Sequence, residues 1–97
     1  MPELINLLGQ SLLRLDGPQV LNLRGQAVGR WEAGALRNSM GQMLAEVADG
    51  CATRAGQPWL EVREGTVFNA RGQALACVRG GTPDEAAALG AAFLAFC

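Results

Sequence analysis

Residues 32–48, EAGALRNSMGQMLAEVA, decide how this chain is read. Leu36, Met40, Met43, Leu44 and Val47 fall at i, i+4, i+7, i+8 and i+11, which is the spacing of one apolar stripe on a helix. Glu32 places negative charge where the positive end of a helix dipole would lie. The spacing therefore predicts a helix over 32–48, ending at Asp49-Gly50 or running one turn further past Cys51 towards Gly56. At ~1.5 Å per residue it would be at least ~25 Å long and would cross a small sheet.

Upstream, Leu4, Leu8, Leu12 and Leu15 suit a first helix, stopped by Asp16-Gly17-Pro18, although Leu12 to Leu15 also fit a short strand. Val20 to Leu23 and Ala27 to Trp31 are extended runs flanking Arg24-Gly25-Gln26, and they predict a β-hairpin over 19–31. Downstream, Trp59 to Glu64, Thr66 to Ala70 and Ala74 to Arg79 predict three strands. Leu60 and Val62 alternate there with Glu61 and Arg63, as in a sheet with one wet face. Thr82-Pro83-Asp84-Glu85 reads as a capping box with proline at the first helical position, so a helix should start at Pro83 and run to the end, apolar on nearly every side. The expected order is α-β-β-α-β-β-β-α in one domain over residues 1–97, an α+β fold with a five-stranded antiparallel sheet covered by helices. The stretches VLNLRGQAVG (20–29) and VFNARGQALA (67–76) coincide at six of ten positions. A duplication and convergent turn chemistry both account for this echo, and either supports both hairpins.

Composition narrows the chemistry. The chain is 49% apolar and 18% charged, with a net charge of −1. It therefore has enough apolar surface to fold. Basic and acidic residues are spread along it, which disfavours a phosphate-binding face and hence nucleic acid. All eight basic residues are arginine, and histidine, lysine and tyrosine are absent. No side chain has an ordinary pKa near neutrality and none can form a Schiff base. Ser11, Ser39 and the threonines therefore lack an activating base. Glu61 and Glu64, three apart on or beside a strand, point to opposite faces. No Gly-rich phosphate motif is present, and Gly80-Gly81-Thr82 before a helix suits either an anion at the helix N-terminus or, the preferred reading, a strand end and helix cap. Cys51, Cys77 and Cys97 are odd in number and far apart, with no CxxC, so neither a disulfide framework nor a zinc site is expected. Cys51 and Cys77 read as core thiols, and Cys97 carries no catalytic signal. Without a basic-then-apolar leader or a membrane-length apolar run, a cytoplasmic, non-catalytic protein with no cofactor or metal is the expectation.

Surfaces remain. The stripe Leu36, Met40, Met43, Leu44 and Val47 would cover the sheet, and its methionines suit either core filling or an adaptable partner surface. Trp31 and Trp59 are the large amphipathic aromatics, the type that anchors interfaces, and each equally suits a core. Two exposed edges of a short, apolar sheet argue for a symmetric dimer.

By element order the chain resembles the Roadblock family of dynein light-chain-type proteins. VLNLRGQAV resembles its first hairpin, LRNSMGQMLAEVADGCATRAG its long central helix, WLEVREGTVFNARGQALACVRGG its three-strand meander and TPDEAAALGAAFLAF its last helix. Arg24 replaces the usual acidic turn. The resemblance implies a homodimer with joined sheets and paired long helices, acting as a scaffold or regulator of a Ras-like small GTPase. It places Arg37, Met40 and Met43 on the partner face and implies no catalytic residue. A secretion-chaperone-like client binder and a phage or mobile-element inhibitor are the alternative readings.

Overall fold

A computed structural model describes residues 2–96. It replaces the five-stranded α+β sheet with a closed, antiparallel barrel of ten strands, and only the C-terminal segment is an α-helix. The strands are β1 (Glu3–Ile5), β2 (Ser11–Asp16), β3 (Gln19–Leu21), β4 (Ala27–Glu32), β5 (Ala35–Asn38), β6 (Met43–Ala48), β7 (Cys51–Arg54), β8 (Gln57–Arg63), β9 (Thr66–Asn69) and β10 (Ala74–Arg79). Each pairs with its neighbours in sequence, and β1 closes on β10 through Leu4 opposite Val78. The expected hairpin over 19–31 and the three strands after residue 57 are present. The expected helices over 4–15 and 32–48 are not.

The reason lies in a repeat. Leu4, Val20, Leu36, Ala52 and Val67 recur at a nearly constant spacing, and all are fully buried. Leu13, Gly29, Ala45, Leu60 and Ala76 form a second buried layer at the same period. Leu15, Trp31, Val47, Val62 and Val78 form a third layer, in which Trp31, Val62 and Val78 are partly buried. The N–H groups of this third layer make one equivalent bond each, donating to the carbonyls of Pro2 (2.9 Å), Pro18 (2.7 Å), Gly34 (2.8 Å), Gly50 (2.8 Å) and Gly65 (2.8 Å). The molecule is thus five copies of one β-hairpin. The echo between 20–29 and 67–76 is two of the five.

Within 32–48 the apparent helical stripe comes from a hairpin. Ala45 and Val47 point inward while Glu46 and Ala48 are exposed, an alternation of period two, and the register shift beside Leu36 leaves Met43 outside. Two glycines, Gly34 and Gly41, sit in the turns flanking β5, with φ of 76° and 85°. In a helix interior each would have cost about 1 kcal/mol relative to alanine. The same misreading covers 4–15: Leu13 and Leu15 are buried on β2, whereas Leu7 and Leu8 are exposed at a loop tip.

Two kinds of turn join the strands. At one end, Ala33-Gly34, Asp49-Gly50 and Glu64-Gly65 have positive φ at both central residues, the geometry whose twist matches that of a two-residue hairpin, and Ala55-Gly56 repeats it at the other end. At the other end the sequence Asn-x-x-Gly-Gln recurs at 6–10, 22–26, 38–42 and 69–73. In each, the Asn side-chain carbonyl accepts from the N–H groups two and four residues on. Its Nδ2 donates to the Gln side chain. Every hairpin also carries a register shift near its loop, which raises the local twist. Repeated five times, the added twist helps the sheet curl until β1 meets β10.

A ten-stranded barrel is wider than the eight-stranded size that side chains alone can fill. The inward positions are often small (Gly29, Ala45, Ala52, Ala76), and the space is taken by α1 (Pro83–Phe96). Residues 86–92 of α1 are all buried, so this stretch is enclosed on every side. The helix packs against strands all round the wall, including β1, β2 and β4 to β9. Its length, ~21 Å at the usual helical rise, matches the short dimension of the molecule, which measures 30 × 30 × 21 Å. The capping box forms as expected: the Glu85 N–H donates to Thr82 Oγ1 (3.2 Å) and the Thr82 N–H to Glu85 Oε1 (2.8 Å). Gly50 N–H donates to Asp84 Oδ1 at 2.6 Å, tying the start of the helix to the β6–β7 turn.

Candidate functional site

In an up-and-down barrel all odd-to-even connections lie at one end. Here those are 6–10, 22–26, 39–42, 55–56 and 70–73. The two ends differ in charge. No Asp or Glu occurs in the stretches 6–10, 22–26, 38–42, 54–57 and 69–73, which instead carry Arg24, Arg54 and Arg71. Arg37 reaches towards the same end, donating to the Gly41 carbonyl at 3.1 Å. The carboxylates gather in the other half: Asp16, Glu32, Asp49 and Glu64 at its turns, Asp84 and Glu85 on the first turn of α1, and Glu3, Glu46 and Glu61 on adjoining strand segments. Arginines in that half stand beside carboxylates. Arg30 pairs with Glu32 (3.3 Å), Arg63 with Glu61 (3.1 Å) and Arg79 with Glu3 (3.8 Å), and Arg14 lies opposite Glu3 in the β1–β2 register. Among the described residues Arg24, Arg37, Arg54 and Arg71 have no carboxylate partner. Charges interleaved in the sequence are sorted in space, because the chain changes ends with every strand. The helix runs with this polarity, its positive end among carboxylates and its negative end towards the arginines.

The loop end is also the apolar end. Leu7 (60%), Leu8 (86%), Leu23 (63%) and Met40 (82%) are exposed at loop apices, and Met43 (52%) lies just below. With Arg24, Arg54 and Arg71 they make a ring in which apolar and basic tips share the barrel mouth.

The residues singled out from sequence divide between two places. Leu36 and Val47 are core, and Leu44, Trp31 and Trp59 are partly buried against it, so a partner face on a central helix does not exist. Arg37, Met40 and Met43 are exposed at or beside the loop end. Trp31 is turned inward with its ring N–H buried and without an acceptor. Trp59 lies under the Arg54 guanidinium, 5.1 Å from the ring centroid. Leu7, Leu8, Leu23, Arg24, Arg54 and Arg71 escaped the sequence reading as site residues. The recurring Asn-x-x-Gly-Gln frame would have exposed most of them, since its two variable positions are the loop apices. Comparison with family models, curated proteins and solved structures finds no match.

Catalytic groupings do not assemble elsewhere among the described residues. Cys51, expected in the core, is exposed on the outer wall. Cys77 is partly buried, its Sγ 4.0 Å from Thr66 Oγ1, and Cys97 lies outside the described residues. A pocket of about 300 Å³ near Cys51, Pro58 and Glu61 holds a single carboxylate with no second acid or base beside it. Among the described residues no group of three His, Cys, Asp or Glu side chains could hold a metal. No helix among them is long and apolar enough to cross a membrane. Closure removes the two open sheet edges on which the expected dimer depended, and without a helix at 32–48 the element order that resembles Roadblock proteins is lost.

Proposed function

We propose that this chain is a non-catalytic binding module that docks onto a partner surface through the loop end of its barrel. The observation that carries the reading is the coincidence, on one end, of exposed apolar tips with arginines that lack carboxylate partners. Solvent-exposed leucines scattered singly are ordinary. Several concentrated on one ring with one sign of charge mark a contact surface. The acidic end, with its paired arginines and a capped helix start, supplies rigidity. Five equivalent hairpins around an enclosed helix make a stiff base for loops, a common arrangement for recognition.

Hydroxyl-radical footprinting of the chain in extract of its source cells tests this. Leu7, Leu8, Leu23 and Met40 should be protected relative to the purified chain, while Pro18 and Pro83 at the acidic end keep their reactivity. Equal protection at both ends, or none at either, would refute docking through the loops.

A further inference from the structure

Resting on the loop-end reading, we infer that the surface it docks on is an anionic lipid bilayer. The apolar side chains of this end sit at the apices of separate loops, Leu7 and Leu8 on one, Leu23 on the next and Met40 on the third. A protein partner is held by a compact central cluster ringed by polar contacts that exclude water. This end has the reverse layout, with isolated apolar tips on the outer ring and the barrel mouth in the middle. Isolated protrusions gain from a fluid interface, where each tip finds acyl chain without needing a matching pocket. The loops at 6–10, 22–26 and 38–42 share one hydrogen-bonded frame and one position in the repeat, which brings their tips to a common level.

Charge points the same way. Arg24 and Arg71 occupy the apex position held by Leu8 and Met40 in other units, so the guanidinium groups flank the apolar tips at phosphate level. Arg37 and Arg54 stand just behind. With no carboxylate among these loops, their charged side chains are all cationic and attract an anionic leaflet, whose surface potential reaches only about a Debye length, roughly 8 Å in physiological salt. The nine carboxylates in the other half are turned away from the surface in this orientation. Long apolar helices have no part in such binding, since the contact is made by side chains at headgroup depth.

Flotation of the full chain with phosphatidylcholine vesicles, with and without phosphatidylserine, decides the matter. The chain should float with the anionic vesicles, at least about tenfold better than with neutral ones, and the association should fall as salt is raised. The pair Leu8→Ser with Leu23→Ser, and separately Arg24→Gln with Arg71→Gln, should each lower it about tenfold. Glu32→Gln with Glu64→Gln should leave it unchanged. All six positions are exposed, and an unaltered thermal midpoint shows each variant folded. Failure to float, equal flotation with neutral vesicles, or retention by the leucine pair would overturn the lipid assignment. If loop-end protection in extract persists in that case, docking stands and the partner is a protein; if it too is absent, the docking reading falls with it.

Discussion

Trp31 and Asn38 show how single residues are held in this barrel. Trp31 occupies the layer otherwise made of Leu15, Val47, Val62 and Val78, and its indole N–H is buried without an acceptor. Leaving a buried donor unpaired costs about 1–3 kcal/mol. Trp31→Phe removes that donor and keeps most of the ring, so its unfolding free energy should stay within about 1 kcal/mol of wild type. Trp31→Ala should lose about 3–5 kcal/mol through the cavity it leaves. Both are read by urea denaturation. Asn38 holds the 38–42 loop by accepting from the N–H groups of Met40 (2.9 Å) and Gln42 (3.0 Å) while donating to the Gln42 side chain (2.9 Å). These bonds are exposed, so Asn38→Ala should cost about 1–2 kcal/mol in the same measurement, at the scale of one or two net hydrogen bonds.

At the scale of elements, the hairpins over 19–31 and 57–79 and the final helix were legible from local chemistry, because turn glycines and the capping box act within a few residues. Strands β1, β5, β6 and β7 were not, and β2 entered only as the alternative strand over Leu12 to Leu15. Leu36, Met40, Met43, Leu44 and Val47 combine two inward strand positions, a loop apex, an exposed position and a half-buried one into a spacing that mimics a helix. Asn38-Ser39-Met40-Gly41-Gln42 in their midst was the contrary signal, legible only beside its copies at Asn6, Asn22 and Asn69. The loop-end ring stayed hidden for the same cause, since its members lie a full hairpin apart in sequence and become neighbours only once the barrel closes. The buried helix was foreseen as apolar on nearly every side, but a covering sheet was assumed where a closed wall surrounds it. Gly90 makes that enclosure tight. A Cβ there would stand 2.8 Å from Val67 Cγ1 and 3.2 Å from Leu60 Cδ2. Gly90→Val should therefore destabilise by about 1–3 kcal/mol, despite valine's better helix propensity, as a lowered denaturation midpoint.

For the whole molecule, closure and filling depend on each other. Ten strands leave a bore too wide for their own small side chains, and the helix that fills it has no other apolar surroundings. Wall and plug should therefore unfold together, while the loops at 6–10, 22–26, 38–42 and 69–73 open locally. Native-state amide hydrogen exchange followed residue by residue measures this directly. With the helix enclosed, the amides of Ala87 to Ala92 should exchange at the slow rate set by global unfolding, together with those of Ile5 and Cys77, which face each other across the closing seam. Helix amides that exchange ahead of the strands, or an Ile5–Cys77 seam that opens while the remaining strands stay protected, would contradict a barrel closed around its own C-terminal helix.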